Sequence, residues 1–248
     1  MMSFADRVLA ARLGQTHLFC IGQAGFVVKS ANGQLLGIDM YLSECVERVE
    51  GHVGYKRLLP KLFEPDELVF DCVIATHFHR DHLDIDALPG LMDNNKTILF
   101  AAKDCVDDTR GYARIQYVAP GDHAACGDYK LDFVKCDHGT GAPQAVGVII
   151  TVDGKKIYEA GDTCLHTEWA DELPKDIDVM IAPINGAYGN MNEMECAAYA
   201  QAVQPKLTVP CHYGMFAAHG GNPGKFYEIM VEKKLPFLFM TQGEDVLL

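Results

Sequence analysis

Short apolar runs alternate along the chain with polar segments rich in glycine, aspartate or histidine, and their length marks most of them as strands. Residues 26–30 and 35–39 flank Asn32-Gly33, and residues 148–152 and 156–160 flank Asp153-Gly154. Asn-Gly or Asp-Gly between two apolar runs is the strongest short-range signal for a hairpin. The runs 72–75, 97–101, 179–182 and 207–210 are apolar on successive residues, as in strands covered on both faces. Helices are predicted near 84–92, 103–110, 192–203 and 224–233. The third is the clearest: Asn192 stands at the cap, Glu195 completes a capping box, and Cys196, Tyr199, Ala200 and Val203 repeat at helical spacing. Residues 1–15 read as a short surface segment. Hairpins followed by strand–helix units imply an α/β protein with helix-covered sheets, whose strand ends carry the polar loops where sites are usually built.

Composition narrows this picture. The 248 residues show no internal repeat, low-complexity tract or linker, so one domain over 1–248 is expected. No apolar stretch approaches the roughly 20 residues that cross a bilayer, and the first residues lack the order of a signal peptide. Nine cysteines, at 20, 45, 72, 105, 126, 136, 164, 196 and 211, form no CxxC pair. An odd count without pairing favours a reducing compartment over a disulfide framework; a cytoplasmic protein is expected. The formal charge of −13 disfavours nucleic acid and anionic membranes as partners. A small anionic substrate stays open, because bound metal ions invert the local field.

The chemistry concentrates in Thr76-His77-Phe78-His79-Arg80-Asp81-His82-Leu83-Asp84, directly after an apolar strand. His77 and His79 are two apart and point the same way in an extended segment. A turn into the next helix would bring Asp81 and His82 to the opposite side of the same cavity, and two facing ligand pairs suit two adjacent metal ions. His138, Asp162 and His212 each follow a strand-like run and are further ligand candidates. All seven are nitrogen or oxygen donors, a set that serves zinc, manganese or iron.

The run 77–82 matches the HxHxDH motif of the metallo-β-lactamase superfamily, and His138, Asp162 and His212 match its later ligands in order. The resemblance implies the metallo-β-lactamase fold, a four-layer αββα sandwich of two mixed sheets flanked by helices. It implies two divalent cations, Zn2+ or Mn2+: His77, His79 and His138 on one, Asp81, His82 and His212 on the other, and Asp162 bridging. Within the superfamily, Ile21-Gly22-Gln23-Ala24-Gly25-Phe26, Ala160-Gly161-Asp162-Thr163, Ala182-Pro183-Ile184-Asn185-Gly186-Ala187-Tyr188 and Cys211-His212-Tyr213-Gly214 resemble the L-ascorbate-6-phosphate lactonase branch. The last two also resemble N-acyl phosphatidylethanolamine phospholipase D. The chain is shorter than those lactonases, and its segment 136–147 does not follow theirs.

The implied activity is hydrolysis of a small ester or lactone, with a phosphorylated sugar lactone as one candidate; alternatives are a small or lipid phosphodiester, or a non-catalytic metal-binding scaffold. Asp81 and Asp162 are candidate catalytic residues, and His219, in a glycine-rich segment, is a candidate substrate contact or proton donor. Asp39 is expected to orient a metal-binding histidine. Asp84 either does the same or caps the following helix. Asn185 and Tyr188 are candidate substrate contacts on a glycine-bearing loop, and Cys211 is expected in the core. Phosphate contacts are sought in Arg80 and in the basic stretch Lys56, Arg57 and Lys61, which otherwise reads as a solvated helix face. His17, His52, His123 and His166 show no partner in sequence and are taken as structural. Homo-oligomer formation stays open.

Overall fold

The computed structural model describes residues 2–51 and 53–248; His52 lies outside them. Among the described residues the strands form two mixed sheets. The first contains β1 (His17–Gly22), β2 (Gly25–Lys29), β3 (Leu35–Ile38), β4 (Cys72–Ala75), β5 (Ile98–Ala102), β6 (Ile115–Val118) and β13 (Asp245–Leu247), in the order β13-β1-β2-β3-β4-β5-β6. The second contains β7 (His123–Cys126), β8 (Tyr129–Lys135), β9 (Val146–Val152), β10 (Lys155–Glu159), β11 (Val179–Pro183) and β12 (Leu207–Cys211), in the order β12-β11-β10-β9-β8-β7. Each sheet is antiparallel in one half and parallel in the other. The change falls at β3 in the first and at β10 in the second.

Both predicted hairpins form. Asp153 and Gly154, at φ 51° and 77°, make a two-residue turn between paired Val152 and Lys155. The Asn32-Gly33 turn is wider, because Ser30 N–H bonds the carbonyl of Gln34. The predicted buried strands lie within one residue of their expected ends.

The helices depart further from expectation. The capping box of α5 (Glu193–Val203) is present: the Asn192 side chain accepts from Met194 and Glu195 N–H, and Glu195 accepts from Asn192 N–H. α6 (Pro223–Glu232) also lies as expected. The predicted helix 84–92 shrinks to α3 (Leu88–Met92), preceded by a turn that Asp84 caps through Asp86 and Ala87 N–H. The 103–110 segment divides into a 3-10 turn and the short α4 (Val106–Thr109). Two helices were not anticipated, α1 (Phe4–Ala10) and α2 (Cys45–Glu50). The first corrects the reading of the N-terminal residues as a surface segment. Ser3 and Asp6 form a capping box, Phe4 and Val8 are buried, and Lys29 Nζ donates to the carbonyls of Val8, Leu9 and Ala11.

The inner faces of both sheets share one apolar cluster, in which Leu36, Ile74 and Phe100 meet Phe133, Ile150 and Val209. Full burial of each such side chain contributes about 1.5–3 kcal/mol. α5 and α6 cover the outer face of the second sheet, where Tyr199, Ala200, Phe226 and Met230 pack with Ile149, Tyr158 and Met180. α1 and α3 add Phe4, Val8, Leu88 and Leu91 to the cluster on the other side. The result is an α/β sandwich of two mixed sheets flanked by helices. Among the described residues no helix is long and apolar enough to cross a membrane.

Candidate metal centre

Polar loops from both sheets converge at one end of the sandwich. The first sheet supplies Gln23 from the β1–β2 turn, Asp39 after β3, and Thr76, His77, His79, Asp81 and His82 after β4. The second supplies His138 after β8, Asp162 after β10, and His212 and His219 after β12. Gln23, Asp39, Tyr188 and His212 have φ between 44° and 60°, a region non-glycine residues seldom occupy and which clusters at functional sites. Gly161 is required before Asp162: its φ is 68°, and a Cβ there would come within 2.9 Å of the Val146 carbonyl oxygen.

All seven predicted ligands meet. His77 Nε2 lies 2.9 Å from His79 Nδ1, and His138 Nε2 lies 3.1 Å from the same atom. Asp162 Oδ2 lies 3.0 Å from His212 Nε2, 3.4 Å from His82 Nε2 and 3.8 Å from His138 Nε2. One carboxylate oxygen therefore faces members of both expected sets. Asp81 Oδ2 is 3.3 Å from His212 Nε2 and 3.7 Å from His82 Nε2.

Behind these atoms a buried network sets the rings. Asp39, fully buried, lies 2.7 Å from His82 Nδ1 and accepts from the backbone N–H and the hydroxyl of Thr76. The Thr76 hydroxyl is also 3.1 Å from His77 Nδ1. Both histidines thus have their Nδ1 engaged and their Nε2 turned to the cavity, the arrangement in which a carboxylate fixes a metal-binding tautomer. His138 lacks this support, since its Nδ1 is buried without a partner.

Protonation divides the cluster: against burial, the Asp162 carboxylate raises His82 well above the ordinary histidine range and His212 to about 9, so a cation there would displace their protons. Burial, with help from His82, pushes His77 well below the ordinary histidine range. Burial likewise pulls His138 down to about 4. Their ring nitrogens are then free to ligate. Burial would raise Asp81 and Asp162, but His82 and His212 outweigh it and hold both carboxyls well below their usual range. His82 Nε2 is buried with no hydrogen-bond partner, an expensive state that a cation at this point would relieve. The donor set fits the implied divalent ions.

Above the cluster lies a cavity of about 150 Å³, rimmed by Glu50, Tyr55, Tyr188 and His219. The His219 ring stacks on His212 at 4.8 Å, and its Nδ1 is 3.2 Å from Gln23 Nε2. The Gln23 amide also donates to Asp81 Oδ2 at 2.7 Å. With Nδ1 accepting from Gln23, the proton of neutral His219 sits on Nε2. Tyr55 and Tyr188 join their hydroxyls at 2.6 Å. Gln23, Thr76 and Tyr55 were not singled out in the sequence. Gln23 and Thr76 lie in the motif segments 21–26 and 76–84, and Tyr55 beside the basic stretch, but none has a role readable from its residue type.

Asn185, Lys56, Arg57 and Lys61, also expected as contacts, are not among the residues that line the cavity. Asn185 folds back on its own loop, its Nδ2 3.5 Å from Ala187 O and its Oδ1 buried without a partner. Residues 55–61 form an irregular segment, not a helix face. Arg57 packs over the Tyr41 ring and donates to the carbonyls of Tyr41, Ser43 and Leu59. Lys61 pairs with Glu64 at the surface, and Lys56 is exposed. Arg80 lines the cavity, but Asp108 closes its fork at 2.8 and 3.0 Å. Asp84 serves the helix turn and the N–H groups of Leu42 and Ser43 instead of a ligand. Cys211 is buried as expected, and no cysteine is in a disulfide among the described residues. His17 and His123 pair with Asp245 and Asp132.

Facing mixed sheets with a His/Asp cluster at their shared end define a class of protein, and the family model of the beta-lactamase superfamily domain matches residues 17–212. A UPF0173 metal-dependent hydrolase of Enterococcus faecalis is 31% identical over 194 residues, covering 71% of this chain and 81% of that one. The chain belongs to the metallo-β-lactamase superfamily and, within it, to the UPF0173 metal-dependent hydrolase family. The fold is shared with many solved structures, two of which illustrate it. Igni18, a metallo hydrolase of the archaeon Ignicoccus hospitalis, superposes with a TM-score of 0.76 at 24% identity, over 94% of this chain and 98% of its own. An isothiocyanate hydrolase from Delia radicum gut bacteria gives 0.74 at 20% identity, over 93% of this chain and 98% of its own.

Proposed function

We propose that this chain hydrolyses a small, uncharged carbonyl compound, an ester or lactone, at a two-cation centre. The observation that carries the reading is the convergence of seven buried or half-buried donors from two sheets, with Asp162 Oδ2 facing both sets. His77, His79 and His138 would hold one cation, Asp81, His82 and His212 the other, and Asp162 would bridge them. Two divalent cations so held supply an acidified water as nucleophile near neutral pH and Lewis-acid polarisation of the substrate oxygen.

The chain's own groups do the rest. Asp39 and Thr76 keep the imidazoles of His77 and His82 in register. Gln23 holds Asp81 and fixes the His219 tautomer, which leaves His219 Nε2–H as a hydrogen-bond donor for a substrate oxygen. The rim supports an uncharged substrate. Arg57 and Arg80 are engaged elsewhere, and Glu50 adds negative charge. The remote phosphate of a phosphorylated lactone would meet no uncommitted Lys or Arg among the described lining residues.

The test is a panel assay on metal-loaded protein with neutral lactones and esters, a phosphorylated lactone, phosphodiesters and isothiocyanates. The expected result is the highest kcat/KM on a neutral ester or lactone. A higher value on a phosphodiester or phosphorylated lactone would overturn the substrate class, and no turnover of any substrate would favour a metal-binding scaffold.

A further inference from the structure

Beside the centre, on its outer edge, a second group of side chains converges. Asp137 Oδ2, Cys164 Sγ and His166 Nε2 lie 2.8, 3.3 and 3.3 Å apart. We propose that these three residues form a further, peripheral site for a divalent cation of the zinc type.

A tetrahedral zinc ion with bonds of about 2.0–2.3 Å separates its ligands by about 3.3–3.6 Å. The two distances to sulfur fall about 0.2 Å short of the tetrahedral separation, and the third needs a shift of about half an ångström. Thiolate with imidazole selects zinc, or cobalt in its place, over magnesium or calcium. The surroundings resemble those of a metal-binding histidine. His166 Nδ1 is held by Glu168 Oε1 at 2.9 Å, which leaves Nε2 for an ion. The Trp169 ring stacks on the imidazole at 4.0 Å and 11°. Asp137 Oδ1 is engaged by Gly139 N–H, leaving Oδ2 for the ion. All three ligands are half-exposed, so the fourth position opens to water, as in sites that exchange a ligand.

The location gives the site a role. Asp137 immediately precedes His138, and Cys164 follows Asp162 by two residues. The two loops are already joined, with Cys164 N–H donating to Asp137 O at 3.0 Å and Asp137 N–H to Thr163 Oγ1 at 3.1 Å. An ion across them clamps the backbone that carries one histidine ligand and the bridging carboxylate. His166, taken as structural in the sequence, becomes a ligand.

Cobalt(II) titration of the metal-free full chain tests this. The seven donors of the main centre contain no sulfur, so a thiolate-to-cobalt absorption band in the near ultraviolet reports the peripheral site alone. The wild type should develop the band and take up one equivalent more than Cys164→Ser, which should show no band at an unchanged melting temperature. Glu168→Gln should weaken that equivalent by about tenfold. His77→Ala should impair the main centre and keep the band, so the two sites fail separately. A wild type without the band, equal uptake by wild type and Cys164→Ser, or a band that survives in Cys164→Ser would each overturn the proposal.

Discussion

His82 Nδ1 and Asp39 Oδ2 are 2.7 Å apart with both side chains fully out of solvent. With the Thr76 N–H and hydroxyl also donating to Asp39, three buried contacts join a strand end to the histidine run, and Thr76 extends them to His77. Asp39→Ala should lower metal affinity about 10–100-fold. It should also cost about 1–3 kcal/mol of stability by leaving the Thr76 N–H unpaired. Chelator competition and thermal melting check the two effects, and unchanged affinity would reduce Asp39 to a support of the turn.

Metal removal should loosen the sandwich, because the proposed ligands are divided between its sheets. At a free ion concentration 100-fold above Kd, one bound ion contributes about 2.7 kcal/mol. Melting with and without a chelator should show a lower midpoint in the stripped protein and recovery on adding zinc or manganese. Identical midpoints would mean that no ion binds the folded chain in preference to the unfolded one.

A pH effect is expected at Glu193, away from the metals. Its carboxylate accepts from Asn222 N–H at 2.7 Å and from Lys225 Nζ at 2.9 Å, fastening the 220–222 segment and α6 to α5. Burial would raise its pKa, but the Lys225 ammonium and backbone donors outweigh it and hold the group below its ordinary value of 4.5. A depressed folded-state pKa contributes stability that is complete above the unfolded value and lost as pH falls through the folded one. Glu193→Gln should therefore be about 1–2 kcal/mol less stable than wild type at pH 7, with the gap closing below about pH 4. An equal gap at pH 7 and pH 3 would show that packing, not charge, holds the segment.

The Tyr55–Tyr188 hydroxyl pair spans the mouth of the cavity. Breaking it in Tyr188→Phe should raise KM about 2–10-fold, equivalent to about 0.5–1.5 kcal/mol, and leave kcat within about twofold. The bond to Tyr188, with burial, pushes the Tyr55 hydroxyl up to about 12, so the wild-type contribution should hold between pH 7 and 10. Steady-state kinetics over that range decide it, and a fall in kcat instead of a rise in KM would place the pair nearer the chemistry.

The ligands were legible in the sequence for a simple reason. Four of them crowd six residues, and His138, Asp162 and His212 each close an apolar run. Asp39 was legible as an acid at a strand end. Gln23, Thr76 and Tyr55 were not, because a neutral amide or hydroxyl gains its meaning only from what the fold sets opposite it. Arg57 shows the converse. Its charge suggested an anion contact, but the Tyr41 ring and three carbonyls claim the guanidinium, and of these only the Leu59 carbonyl is near it in the residue pattern. Among the elements, paired turns and continuous apolar runs were readable. β7 was not, since its alternate residues face solvent, and α1, seven residues long, is held by the distant Lys29.

The division of the proposed ligands between β4 on one side and β8, β10 and β12 on the other has a consequence for how the protein matures. A nascent chain that has exposed His77, His79, Asp81 and His82 but not yet His212 holds only part of either set, and it cannot retain ions tightly. Ion capture then marks the moment at which both halves have docked. Ions held at this centre would then tie the completion of the fold to the supply of metal.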